Sequence, residues 1–149
     1  MSHVKKTSAW DQQSIDSFLR STVIPVRLAC SDADGVPLIC SLWYLYDNEV
    51  ICCATQQSAA IVRLLENQRQ CGFEIAPEAM PYRGVRGQGK VTLLSDEGEA
   101  VLLRLIDRYL GKRDSDLAQW LVKRAETEVA IKIQPDWFTS WDFSHRMSS

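Results

Sequence analysis

The sequence is poor in the residues on which most protein-borne chemistry depends. Only two histidines, His3 and His145, occur in 149 residues, both near its ends. A Ser-His or Cys-His nucleophile therefore has no histidine within the body of the chain. The five cysteines, Cys30, Cys40, Cys52, Cys53 and Cys71, are odd in number and include no C-x-x-C pair. That spacing argues against a disulfide framework and against a zinc site, so no metal is expected and the thiols read as reduced and buried. Cys52 and Cys53, as strand neighbours, point to opposite faces and share no role. A net charge of only -2 gives no bulk attraction to nucleic acid or to an anionic membrane. No apolar run approaches the ~20 residues of a membrane span, and Met1 to Lys6 leads into polar residues where a signal peptide would have its apolar core. The expected location is the cytoplasm. Repeats and linkers are also missing, and the length suits one domain over residues 1–149.

What is present alternates between strand and helix patterns. Ser8, with Asp11 three residues later, resembles a helix cap ahead of an amphipathic stretch containing Trp10, Ile15, Phe18 and Leu19. Asp32-Ala33-Asp34-Gly35 is a turn between the apolar runs Val23–Ser31 and Val36–Tyr46, predicting a hairpin. Asp47-Asn48 turns the chain again into Glu49–Ala54, making three consecutive antiparallel strands. Ser58 suits the cap of a short helix with Ile61, Leu64 and Leu65 on one side. Cys71–Ala76 and Gly84–Leu94 read as strands separated by a loop with Pro77 and Pro81. Leu102, Leu105, Ile106 and Tyr109 fall at helical spacing, with Gly111 as the stop. A further helix from Asp114 is expected to bury Leu117, Trp120 and Leu121, and Val129, Ile131 and Ile133 alternate as a last core strand before Pro135. Strands interrupted by a few helices, without βαβ alternation, predict a mainly β, α+β antiparallel barrel with peripheral helices.

The stretch from Pro81 to Val91 holds three glycines and three cations inside a strand pattern. Glycine in a strand marks a bulge or the close approach of another group. A dinucleotide-binding turn is excluded, because the G-x-G-x-x-G spacing is absent and Lys90-Val91-Thr92-Leu93-Leu94 continues as strand. With few histidines, and acids mainly in turns and helices, the protein's own side chains are poor reagents. A bound cofactor would supply the electron chemistry.

Pro81–Val91, together with Leu42-Trp43-Tyr44, Thr55-Gln56-Gln57-Ser58 and Trp141-Asp142-Phe143, resembles the flavin-binding split β-barrel of the pyridoxamine 5'-phosphate oxidase-related family over roughly residues 24–146. The resemblance implies a homodimer with flavin mononucleotide (FMN) held noncovalently at two interface sites, exchanging electrons with a small-molecule substrate. It assigns Thr55, Ser58 and Arg63 to the phosphate, Arg83 and Arg86 to further anionic contacts, and Ser41, Leu42, Trp43 and Val85 to a wall beside the ring. Trp141, on an aromatic edge with Trp137 and Phe143, would approach the partner's flavin. Ala59 and Ala60 depart from the pattern, which supplies a cation after the serine. Cys40 stands where the larger oxidases carry arginine, and both differences weigh against a vitamin B6 oxidase. Relatives of this architecture also accept a deazaflavin or haem, haem being less suited to a chain with two terminal histidines. The rival reading is a noncatalytic flavin-binding or ligand-sensing module.

Overall fold

A computed structural model describes residues 3–147; Met1 and Ser2 of the segment weighed above as a leader, and Ser148 and Ser149, lie outside the described residues. The strands are β1 (His3–Val4), β2 (Val26–Ser31), β3 (Pro37–Leu42), β4 (Leu45–Asp47), β5 (Val50–Gln56), β6 (Gln70–Ile75), β7 (Arg83–Leu94) and β8 (Glu128–Asp142). The helices are α1 (Gln12–Ser21), α2 (Ala60–Asn67), α3 (Gly98–Leu110), α4 (Asp116–Val122) and α5 (Ser144–Met147). Antiparallel pairing in the order β3-β2-β6-β7-β8-β5-β4, with β1 added in parallel to β8, makes one sheet that curls into a half-barrel. The antiparallel α+β barrel anticipated from the strand and helix patterns, and the split form implied by the family resemblance, is the fold observed.

The β2–β3 hairpin forms as its turn predicts. Asp32 Oδ1 accepts from the N–H groups of Asp34 and Val36, each at 2.9 Å, and Gly35 takes a left-handed φ of 80°. The expected strand Val36–Tyr46 is broken at Trp43-Tyr44, because Tyr44 is fully buried and its N–H donates to Tyr109 Oη at 3.1 Å rather than to a strand neighbour. The chain re-enters the sheet as β4, beside β5 but not beside β3. β3 and β4 are therefore the two sheet edges, and a seam separates them.

Two caps, the burial of one helix and one boundary differ from the sequence reading. Asp11 caps α1 by accepting from Ser14 N–H at 2.9 Å, whereas Ser8 ties the segment before α1 to β8 through Ser140 at 2.8 Å. Ser58 is exposed in a turn and α2 begins after Ala59, with no side-chain cap. α4 is capped by Ser115 and buries only Ala118, while Leu117 and Trp120 are 48% and 53% exposed. β8 runs straight through Pro135, because a bulge opposite Gln88/Gly89 absorbs Asp136 and lets the ladder continue to the aromatic segment.

Along β7 the inward residues Val85 and Val91 join Leu28, Ile51, Ile75 and Phe138 in the barrel core. A second apolar layer forms where Leu102, Leu105 and Ile106 of α3 cover Ala54 of β5 and Ala130 of β8. The glycines of β7 are explained by this packing. A Cβ on Gly84 would lie 2.7 Å from the Trp141 ring, and one on Gly87 would lie 2.6 Å from Phe73 Cζ. Aromatic rings fill the space beside Gly84 and Gly87, and the β8 backbone closes on Gly87 and Gly89.

Candidate functional site

A cleft of about 350 Å³ opens at the seam. Ser41, Leu42 and Trp43 enter it from β3 and the segment that follows, Ala54, Thr55 and Gln56 from β5, and Leu102 and Leu105 from α3. Leu117 and Leu121 of α4 flank its mouth, and Arg124 and Glu128 complete it. The size falls within the range of small-molecule sites, roughly 300 to 1,000 Å³, whose walls are mostly apolar with a few fixed polar groups.

Trp43 is held in place by stacking on Tyr109, with centroids 4.9 Å apart and planes 10° from parallel. Tyr109 is fixed in turn, its hydroxyl donating to Ile24 O at 2.7 Å while accepting from Tyr44 N–H. Burial pushes the Tyr109 phenol above its ordinary range, which keeps it protonated as that donor. Next to it, Arg108 donates to the carbonyls of Leu19, Arg20 and Thr22 at the end of α1. The wall at Trp43 is thus braced by α3 and, through it, by α1.

The other end of the cleft is polar. Gln56 and Glu128 face one another across the β5–β8 ladder, and Gln56 Nε2 donates to Glu128 Oε2 at 2.6 Å and to Arg124 O at 2.9 Å. Thr127 Oγ1 donates to Gln56 Oε1 at 2.5 Å, so the amide is fixed at both ends. Glu128 is only 6% exposed, and burial raises its carboxyl above the usual glutamate range, opposed by the Gln56 hydrogen bond and the Arg124 charge. Arg124 lies over the Trp120 ring at 4.2 Å and makes no ion pair with Glu128.

Of the residues singled out in the sequence, Ser41, Leu42, Trp43 and Thr55 meet in this cleft. Ser41 Oγ also accepts from Arg27 at 2.5 Å. Ser58 lies in the exposed turn beyond β5, and Arg63 lines a separate hollow of about 360 Å³ with Asp32, Leu38 and Leu64. Arg83 borders a hydroxyl-rich hollow against α1 with Ser14, Ser17, Ser21 and Asp142. Arg86 and Trp141 stand on the outer sheet face, the guanidinium 4.5 Å from the ring. Val85 is fully buried in the core, so its side chain borders no cleft of the protomer. The sequence reading missed Glu128, passing over it with the acids as a group. Its registration opposite Gln56 is a tertiary fact.

The thiols are not reagents. Cys53 and Cys71 are buried and Cys40 half-buried, with burial pushing Cys40 to about 11 and Cys71 to about 12, so the nucleophilic thiolate is suppressed. Among the described residues no group of three or more His, Cys, Asp or Glu is placed to hold a metal ion, and neither His3 nor His145 lines the cleft. No helix among them is long and apolar enough to cross a membrane.

No family model matches the chain, and no curated protein matches it. Solved structures do. A conserved hypothetical protein from Mycobacterium tuberculosis superposes with a TM-score of 0.79 at 21% identity, covering 99% of this chain and 95% of that one. An F420 reductase gives 0.70 at 24% identity over 83% and 94%. A putative pyridoxamine 5'-phosphate oxidase from Listeria innocua gives 0.64 at 14% identity over 89% and 97%. The chain shares their split-barrel fold.

Proposed function

We propose that this protein binds a flavin-type cofactor at the seam cleft and works as an oxidoreductase on a small molecule, as a member of the pyridoxamine 5'-phosphate oxidase-related group. The observation that carries this reading is the convergence of Ser41, Leu42, Trp43 and Thr55 on one cleft whose other walls are aliphatic except for the polar end at Gln56, Arg124 and Glu128. Similar folds in an F420 reductase and a putative pyridoxamine 5'-phosphate oxidase support it.

The cleft fits the ring better than the phosphate. A planar apolar body matches Leu42, Trp43, Leu102 and Leu105, with Thr55 as a hydroxyl partner. The turn after β5 offers Gln57, Ser58, Ala59 and Ala60 without a cation, and Arg63 lines another hollow. The redox change would be the cofactor's own, while these residues bind it, orient it and exclude water. Arg83, Arg86 and Trp141 would reach it only from a second copy of the chain. The outer sheet face favours such a copy, since Ile39 there is 68% exposed and Arg27, Glu74 and Arg86 form one cross-strand row. FMN and a deazaflavin are the candidates to compare.

The deciding experiment is the absorption spectrum of the purified protein, followed by titration with riboflavin, FMN and a deazaflavin, then anaerobic reduction. Saturable binding of any of the three with turnover supports the reading. Binding without turnover would leave a carrier or sensor, to which the missing cation already points, and no binding of any of them would remove the proposal.

A further inference from the structure

We infer that the polar end of the seam cleft is a recognition site for a cationic or N–H-donating head group, with Glu128 Oε1 as its acceptor and the aliphatic walls receiving an aromatic or aliphatic body. The inference shares the cleft with the proposed flavin site but does not require a flavin to be bound.

The argument starts from hydrogen-bond accounting. Glu128 is buried as a residue, yet neither carboxyl oxygen is among the fully enclosed polar atoms that lack a partner, so an oxygen without a protein donor opens on the cleft, where a ligand can replace water. Glu128 Oε2 has its donor in Gln56, but Oε1 has none among the described residues. Gln56 has nothing more to give, since its amide group is already engaged with Glu128, Arg124 O and Thr127. The one cation on the cleft, Arg124, is stacked on Trp120 instead of paired with the carboxylate. Glu128 thus borders a cavity large enough for a small molecule with an acceptor oxygen still open, and the network around it holds that oxygen in place.

The same arrangement discriminates by charge. An anionic group at this end would meet the carboxylate directly, whereas an ammonium or amidinium would complete a charge-assisted hydrogen bond of the stronger kind. The remaining walls, Leu102, Leu105, Leu117 and Leu121 with Trp43, suit an apolar body attached to that head.

Three fragments of similar shape separate these terms: benzylammonium, benzyl alcohol and benzoate, titrated into the full-length protein without added flavin and followed calorimetrically. Benzylammonium should bind at least about tenfold more tightly than benzoate. Glu128→Gln should lose about tenfold or more in benzylammonium affinity, as expected for a lost hydrogen bond to a charged group, with benzyl alcohol unchanged. A second measurement needs no variant: benzylammonium should shift the ¹³C carboxyl resonance of Glu128 in wild-type protein. Equal affinity in parent and variant, benzoate binding as tightly as benzylammonium, no benzylammonium binding, or an unmoved carboxyl resonance at saturation would each overturn the inference. Parallel titrations with riboflavin, FMN and a deazaflavin keep the two readings apart, because failure of all three removes the flavin-type cofactor and leaves the amine site standing.

Discussion

Gly98, the first residue of α3, tests how the cleft is built. A Cβ placed there would lie 1.9 Å from the Glu128 carbonyl oxygen, 2.3 Å from its carbon and 2.7 Å from Val129 N. All three are backbone atoms of β8, hydrogen-bonded into the sheet and unable to turn aside as a flexible side chain could. Restoring ordinary contact at 3.4 Å requires α3 to retreat by about 1.5 Å. Leu102 and Leu105, which cover Ala54 and Ala130, would be pulled away with it. Overpacking of this kind costs roughly 1 to 3 kcal/mol, and rigid backbone neighbours place Gly98→Ala at or above the upper end. At about 2 to 4 °C per kcal/mol for a chain of this size, the melting temperature should fall by roughly 6 to 12 °C. Thermal unfolding by circular dichroism measures the fall, and hydrogen exchange should show faster opening of α3 than of β6–β7. A variant that melts with the parent would refute the claim that the α3 start is pinned against Glu128.

Tyr109→Phe would leave the Tyr44 N–H without its acceptor and Ile24 O without its donor, at about 1 to 3 kcal/mol, read as a lower urea midpoint with unchanged slope; an unchanged midpoint would contradict the brace on Trp43. Glu128 has a folded-state pKa raised by burial, so the native state binds its proton more tightly than the unfolded chain does. Its contribution to stability therefore falls as pH rises from the ordinary glutamate range, about 4.3, toward the raised value. Glu128→Gln should accordingly gain on the parent between pH 4 and 7 in denaturant titrations, and parallel pH profiles would argue against it. Ile39→Asp would put a carboxylate on the exposed apolar part of the outer face, on the edge strand β3, weakening a dimer formed there by about 3 kcal/mol or more; parent and variant sedimenting alike would exclude that face as the contact.

How much the sequence revealed depended on how local the cause was. The Asp32–Gly35 turn and the α3 stripe ending at Gly111 are short-range patterns, and both appear where the residues put them. Trp43 and Thr55 were recognised as site candidates through motif resemblance, and tertiary folding brings them into one cleft. The distant arginines were grouped wrongly from the sequence: Arg83 and Arg86, three apart in β7, project from opposite faces of one strand, and Arg63 lies on α2 beside another hollow. Trp120 misled for a related reason: apolar spacing marks an amphipathic helix but does not say whether anything covers it. Pro135 looked like a strand end because the bulge that absorbs Asp136 beside it is defined only by the pairing with Gln88 and Gly89 of another strand.

The placement of β8 also bears on how the chain is made. It is synthesised after every strand it joins, yet it sits between β7 and β5 in the finished sheet. Until it emerges, β3-β2-β6-β7 and β5-β4 are two separate ribbons, each presenting an open hydrogen-bonding edge. Such edges are templates for pairing with another chain, and long-range sheet closure is slow compared with local structure. Nascent chains stalled before Glu128 should therefore be the aggregation-prone species and the ones held by chaperones, whereas chains that have released Asp142 can close the barrel. Synonymous changes that slow translation between α4 and β8 would lengthen that exposed interval without altering a single residue of the protein.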